Sequence, residues 1–221
     1  MDDEVEIVVK DLDTSPEALR AAIPLLSEAE RQRAHRFVFT RDRGRYIAAR
    51  SQLRRLLGAR LGVRPENVEL VYGARGKPAL APRLAWSGLR FNVAHCGDAA
   101  VYAFASRREV GIDIETVRAL EDADTIAGHV FSRRENDMYQ ALDAHEKPIG
   151  FFNCWTRKEA FIKAVGDGFY HPLDRFDVSL APGEPARILR VGNTPGDRCG
   201  WRMDGFSRAP GLIGAVVTEA S

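Results

Sequence analysis

Gly111-Ile112-Asp113-Ile114-Glu115 and, about forty residues further on, Trp155-Thr156-Arg157-Lys158-Glu159-Ala160-Phe161-Ile162-Lys163 are the two stretches on which the reading of this chain turns. The first alternates apolar and acidic residues. In a β-strand successive side chains face opposite ways, so Asp113 and Glu115 share a face. The second has helical character, and its period puts Glu159 and Lys163 one turn apart on one face, with Trp155 on the same stripe. Three carboxylates and one ammonium can therefore converge. Like charges held together repel unless a cation sits between them, and hard oxygen ligands suit Mg²⁺, or Mn²⁺, better than zinc. The pattern predicts a magnesium site that handles a phosphate substrate.

Each stretch alone has a plainer reading. A Glu and Lys at i and i+4 commonly form a solvated helix pair, and an acidic strand face commonly meets water. Gly111, Ile112 and Ile114 mark a strand buried on at least one side, however, so its other face must be wet or carry a site.

Around these stretches the chain reads as an ordinary globular protein. Its 221 residues, 45% of them hydrophobic, can bury one large core or two lobes of roughly a hundred residues each. No apolar run approaches the roughly 18 residues that span a bilayer, so no membrane partner is expected. The start, Met1-Asp2-Asp3-Glu4, is acidic where a secretory signal is basic, and a cytoplasmic location is expected. Cys96, Cys154 and Cys199 are odd in number and form no CxxC pattern, which predicts free thiols rather than a disulfide framework or a zinc knuckle.

Net charge is only +1, yet residues 31 to 60 hold ten arginines against one acid, Asp42. The planar guanidinium fork matches phosphate oxygens, so this cationic stretch suits a polyanionic ligand or partner. It equally suits a basic helix face whose stems cover apolar surface.

Along the chain, Val5 to Val9 predicts a strand. Ser27 followed by Glu30 is a capping-box signature for a short basic helix, and a longer helix is predicted from about Arg41 to Leu61 with Gly62 as its stop. Residues 68 to 72 read as a strand, and 91 to 95 and 100 to 105 as a strand pair across the Gly97-Asp98 turn. The order then begins again. It has the acidic strand 110 to 115, a second capping box at Ser132 and Glu135, a helix from Pro148 to about Val165, and strands near 176 to 180, 186 to 191, 200 to 206 and 212 to 218. This predicts an α+β protein of two similar lobes, 1–106 and 107–221, with a ligand site at their junction.

With Gly76-Lys77-Pro78, Phe91-Asn92-Val93-Ala94-His95, Gly111 to Glu115, Phe131-Ser132-Arg133-Arg134-Glu135, Trp155 to Lys163 and Pro172-Leu173-Asp174 in this order and spacing, the sequence resembles the 4′-phosphopantetheinyl transferases of the surfactin-synthetase type. That family activates carrier proteins of fatty-acid, polyketide and nonribosomal peptide synthesis. The resemblance implies a pseudo-two-fold, two-lobed fold with coenzyme A in the cleft between lobes. It implies Asp113, Glu115 and Glu159 as magnesium ligands and Lys163 on the coenzyme diphosphate. Lys77 and Pro78 would line the adenine and phosphate side, and His95, Arg45 and Arg33 would approach the 3′-phosphate. Glu159 and Lys163 would be the catalytic pair, as general base and as stabiliser of the departing phosphate oxygen. The partners implied are apo acyl and peptidyl carrier proteins, docking on the segment after Gly166, and a monomer is expected from two fused lobes.

Three positions depart from the family pattern: Ala94 and Cys96 stand where serines are frequent, and Glu30 where a basic residue is frequent at the coenzyme entrance. A nucleic-acid-binding module would account for the arginines. It would leave Asp113 and Glu159 unexplained, and the segment lacks a zinc finger, an RNP motif or interleaved surface aromatics, so no nucleic-acid partner is expected. A magnesium-dependent phosphodiester hydrolase would use the same ligands with water as nucleophile, and would release 3′,5′-ADP from coenzyme A without a carrier.

Overall fold

A computed structural model of the chain describes residues 4–73, 76–166, 172–196, 199–208 and 211–220. In order these form β1 (Glu6–Asp11), α1 (Pro16–Ala22), α2 (Glu28–His35), α3 (Thr40–Leu61), β2 (Leu70–Tyr72), β3 (Pro78–Leu80), β4 (Leu89–Cys96), β5 (Ala99–Ser106) and β6 (Val110–Thr116). Then follow α4 (Ala123–Val130), α5 (Arg133–Gln140), α6 (Lys147–Val165), β7 (Phe176–Val178), β8 (Ile188–Val191), β9 (Thr194–Pro195), β10 (Trp201–Arg208) and β11 (Leu212–Glu219).

Two three-stranded antiparallel sheets, in the orders β1-β5-β4 and β10-β11-β6, face each other. Between them lies a dry layer built by Ala94, Val101 and Ala103 from one sheet and Ile112, Ile114 and Val216 from the other. The two long helices cover the outer faces. Leu53, Leu57 and Leu61 of α3 pack on Phe91, Tyr102 and Phe104, and Ala160, Phe161 and Ala164 of α6 pack on Ala215 and Val217. The layers therefore run helix, sheet, sheet, helix, an α+β architecture. Strand alternation explains this double packing, because odd and even positions of β4, β5 and β6 each find an apolar neighbour.

The predicted caps are present. Ser27 accepts from the Glu30 N–H while Glu30 returns a bond to the Ser27 N–H, and Ser132 with Glu135 repeats the arrangement. Both long helices stop at a glycine with positive φ, Gly62 at 66° and Gly166 at 82°, which a side chain would strain. The helix α1, capped by Ser15 with Pro16 at its first position, and the two-residue β9 were not among the predicted elements. All three cysteines are free. Among the described residues, no helix is long and apolar enough to cross a membrane.

Candidate active site

Strand β6 and helix α6 touch at a glycine. A Cβ at Gly111 would collide with the Ala160 carbonyl and the Ala164 nitrogen, so the helix can lie this low on the strand only because Gly111, Ala160 and Ala164 are small. Two residues further along the same strand face, Asp113 meets the helix. The Lys163 ammonium donates to Asp113 Oδ1 at 2.6 Å and to the Ile112 carbonyl at 3.4 Å. One turn back along α6 stands Glu159. Asp113 Oδ2 and Glu159 Oε1 are both buried without a hydrogen-bond partner. Burial chiefly pushes the Asp113 carboxyl up to about 6, with Glu159 and Glu115 adding to the rise and Lys163 opposing it. Glu159 is likewise raised by burial and by Glu115, and lowered by Lys163.

Two buried, unsatisfied carboxylate oxygens at one junction are costly as they stand, and a hard cation would satisfy both. In that respect the residues fit magnesium. Glu115, the third predicted ligand, is near enough to raise both carboxyls, and it also pairs with Arg118 at 3.6 Å and accepts from the Cys96 thiol at 3.5 Å. Among the described residues no three His, Cys, Asp or Glu side chains are gathered closely enough to hold a metal ion as they stand. Asp113 and Glu159 thus meet beside Lys163, with Glu115 close by and engaged by Arg118 and Cys96.

A second centre lies on the first half. A cavity of about 460 Å³ is bounded by Arg33, Arg45, Pro78 and His95, the predicted coenzyme residues, together with Phe37, Asp42, Tyr46 and Arg50. Its described lining comes wholly from residues 12 to 97, whereas the predicted cleft lay between the halves. The bridge to the other centre is one residue long. His95 lines the cavity, while its neighbour Cys96 faces the opposite way and touches Glu115.

Tyr46 and Arg50 were missed in the sequence. Arg50 sits 5.7 Å from the ring centroids of both Tyr46 and Tyr72, and Arg33 lies 5.6 Å from the Tyr46 ring. The i, i+4 spacing of Tyr46 and Arg50 was the available signal, hidden among ten arginines of which Arg54 turned out to be buried.

Other expectations need correcting. Lys77 does not line the cavity, although its neighbours Gly76 and Pro78 do. Its ammonium instead donates to the Lys163 carbonyl at 2.6 Å, to those of Ala164 and Val110 at 3.4 Å, and to Glu109 at 3.2 Å. Glu30 is not a rim residue. It is 3% exposed and pairs with Arg54 at 2.7 Å, because its place in the capping box turns it inward. Ala94 belongs to the layer between the sheets, since strand alternation points Val93 and His95, not Ala94, at the cavity. A serine hydroxyl at 94 would therefore face away from a ligand there. The expected carrier-docking segment after Gly166 falls largely on residues 167–171, outside the described residues.

Two family models match the chain: the 4′-phosphopantetheinyl transferase superfamily over residues 109–204, and the N-terminal part of 4′-phosphopantetheinyl transferases over residues 11–107. The 4′-phosphopantetheinyl transferase HetI of Nostoc sp. is 39% identical over 188 residues, covering 85% of this chain and 79% of that protein. The human L-aminoadipate-semialdehyde dehydrogenase-phosphopantetheinyl transferase is 30% identical over 169 residues, 73% of this chain and 55% of its own length. The transferase AcpT of Salmonella typhimurium is 38% identical over 98 residues, 44% of this chain and 50% of that one. With its two centres, one acidic and one cationic, joined through His95 and Cys96, the chain belongs to the 4′-phosphopantetheinyl transferase family.

Proposed function

We propose that the chain transfers the phosphopantetheine arm of coenzyme A to a serine of an apo carrier protein by the two centres described above. The family is one of transferases, and coenzyme A is the co-substrate in this reading. The observation that carries the assignment of roles is the pair of buried, unpartnered oxygens on Asp113 and Glu159 next to the Lys163 ammonium. It supports a centre that is incomplete without a charged ligand.

In this reading Arg33, Arg45 and His95 hold the 3′-phosphate in the cavity, with Pro78 against the nucleoside. The diphosphate reaches the junction of β6 and α6. Mg²⁺, or Mn²⁺, held by Asp113 and Glu159 would neutralise charge on the diphosphate, and Glu115 would join them if it exchanged its Arg118 contact for the ion. Glu159 takes the proton of the carrier serine as its oxygen bonds to the β-phosphorus. The bond from that phosphorus to the bridging oxygen breaks, and 3′,5′-ADP leaves with the electron pair. Lys163, a point charge at the same place, donates to the phosphate oxygen on which charge grows.

We also assign the chain to the surfactin-synthetase type, with lobes at 1–106 and 107–221 related by a pseudo-two-fold axis. The support is that both halves repeat a capping box, a long helix ended by a glycine, and a buried ion pair between them: Glu30 with Arg54, and Glu135 with Lys158. Carriers of fatty-acid, polyketide or peptide synthesis are the proposed partners, met in the cytoplasm by a monomer. The test is an intact-mass measurement of an apo carrier protein incubated with this protein, Mg²⁺ and coenzyme A. A gain of one phosphopantetheine arm is expected. Release of 3′,5′-ADP with no mass gain would make the protein a hydrolase.

A further inference from the structure

Lys77 stands between the two centres and belongs to neither in the reading above. Its flanking residues Gly76 and Pro78 line the cavity, while its ammonium grips the two elements that carry the acidic centre. It donates to the Lys163 and Ala164 carbonyls at the end of α6, and to the Val110 carbonyl and Glu109 carboxylate at the start of β6. The last four carbonyls of a helix lack partners within it, and a cation there also meets the negative end of the helix dipole. The Gly166 N–H bonds to the Ile162 carbonyl, so a side chain from the other half satisfies the next two. The Lys77 side chain is 24% exposed, and its ammonium is charge-paired with Glu109, which turns to Arg90 as well.

We propose that Lys77 is a positioning residue: it pins the end of α6 to the start of β6 and so holds Lys163 and Glu159 in register with Asp113. One short loop then both walls the cavity and fixes the distance between strand and helix at the acidic centre. This rests on the transferase reading of that centre. It differs from a ligand-contacting role, because a lysine committed to four protein oxygens is not available to a phosphate.

The test uses Lys77→Met, which keeps length and removes charge, and Lys77→Arg, which keeps charge. Coenzyme A affinity is measured by calorimetry and the transfer rate to an apo carrier in a single turnover at saturating coenzyme A. Small misplacements at a reacting centre cost up to about a hundredfold in rate. Lys77→Met is therefore expected to slow the single turnover by about ten- to a hundredfold while coenzyme A affinity stays within about twofold, and Lys77→Arg is expected to recover most of the rate. Should Lys77→Met not fold, Glu109→Gln loosens the same grip and is expected to slow the turnover by roughly threefold, again at unchanged affinity. A loss of affinity of about tenfold or more at an unchanged saturated rate would make Lys77 a ligand contact and overturn the proposal. So would a lower melting temperature with both rate and affinity unchanged. Wild-type protein that modifies no carrier at all would instead refute the transferase reading, and the two failures are distinct.

Discussion

Residues 27–61 and 132–165 are built on one plan and differ in how tightly it is closed. In each, a capping-box glutamate turns inward and meets a cation from the long helix: Glu30 with Arg54, and Glu135 with Lys158, both pairs at 2.7 Å. In each the cation also reaches the chain that follows its helix, Arg54 through the Pro65 and Val68 carbonyls and Lys158 through those of Leu173 and Phe176. The remaining glutamate oxygen shows the difference. Glu135 accepts from the Val178 backbone N–H at 2.7 Å, deep in the core, whereas Glu30 receives the Tyr72 hydroxyl at 3.5 Å, and Tyr72 is 42% exposed and packs on Arg50 of the cavity. The second half seals its ion pair, and the first half lets its own communicate with the ligand cavity. The consequence is a division of labour. In α6 the frame residue Lys158 and the site residue Glu159 are neighbours that meet different parts of the fold, Lys158 the Leu173 and Phe176 carbonyls and Glu159 the acidic cluster of β6, while in α3 the frame residue Arg54 and the cavity residue Arg50 lie one turn apart.

Breaking the pairs tests that difference. Lys158→Met leaves a carboxylate stranded in a sealed site and should cost about 3 to 5 kcal/mol, the usual cost of unpairing a buried ion. Arg54→Met should cost roughly half as much, because the Tyr72 side of Glu30 can admit water. Urea unfolding of both variants reads the contrast, and equal losses would show that the two halves are closed alike. A pH series sharpens it. Burial already raises the Glu135 carboxyl, against the pull of Lys158 and its backbone donors, and removing Lys158 raises it further. A raised folded value means that the native state prefers the proton. The Lys158→Met loss should therefore be smallest below the unfolded value near 4.5 and grow as pH rises through the raised native one.

This plan was partly legible in the sequence. Ser27 with Glu30 and Ser132 with Glu135 carry their spacing on the surface of the text, as do the glycine stops and the period-two strand at Asp113. What those signatures do not carry is direction. The cap spacing could not tell that Glu30 would face Arg54 rather than solvent, since the partner lies 24 residues away. Nor could the Gly-Lys-Pro string tell that its lysine crosses to α6, 86 residues on. Glu115 lies on the predicted strand, but its engagement with Arg118 and Cys96 depends on how β4 and β6 abut, which no local pattern encodes.

The two centres can be separated by their responses. In the proposed mechanism Glu159→Gln removes both the proton acceptor and a magnesium ligand, so transfer should fall by at least about a hundredfold. Near-normal turnover at saturating magnesium would take Glu159 out of the mechanism. Arg45→Ala and His95→Ala act at the cavity. Each should weaken coenzyme A binding by roughly 1.5 to 3 kcal/mol, the scale of a charge-assisted hydrogen bond, and barely change binding of dephospho-coenzyme A, which lacks the 3′-phosphate. Equal losses with both ligands would remove these residues from 3′-phosphate recognition and point the cationic surface at a carrier protein instead.

The smallest effect distinguishes a site residue from a frame residue most directly. Asp113 is 8% exposed, keeps one oxygen unpartnered, and is pushed up to about 6, chiefly by burial and despite Lys163. Its charge at neutral pH is therefore a cost to the metal-free fold, and unlike Glu30 and Glu135 it keeps a carboxylate oxygen without a partner. Asp113→Asn should stabilise the metal-free protein by about 1 to 2 kcal/mol at pH 7.5, while abolishing transfer or raising its magnesium requirement. The sign follows from the raised value. Above about 6 the full penalty applies; between about 6 and the unfolded 3.8 the native carboxyl holds a proton that the unfolded one has lost, and the penalty fades toward zero, so the gain should shrink as pH falls through this window. Thermal unfolding of both proteins across pH 4.5 to 7.5 measures it. A sharp loss of stability in the variant at pH 7.5 would mean that the Lys163 ion pair outweighs the burial cost, and Asp113 would then belong with Glu30 and Glu135 as part of the frame.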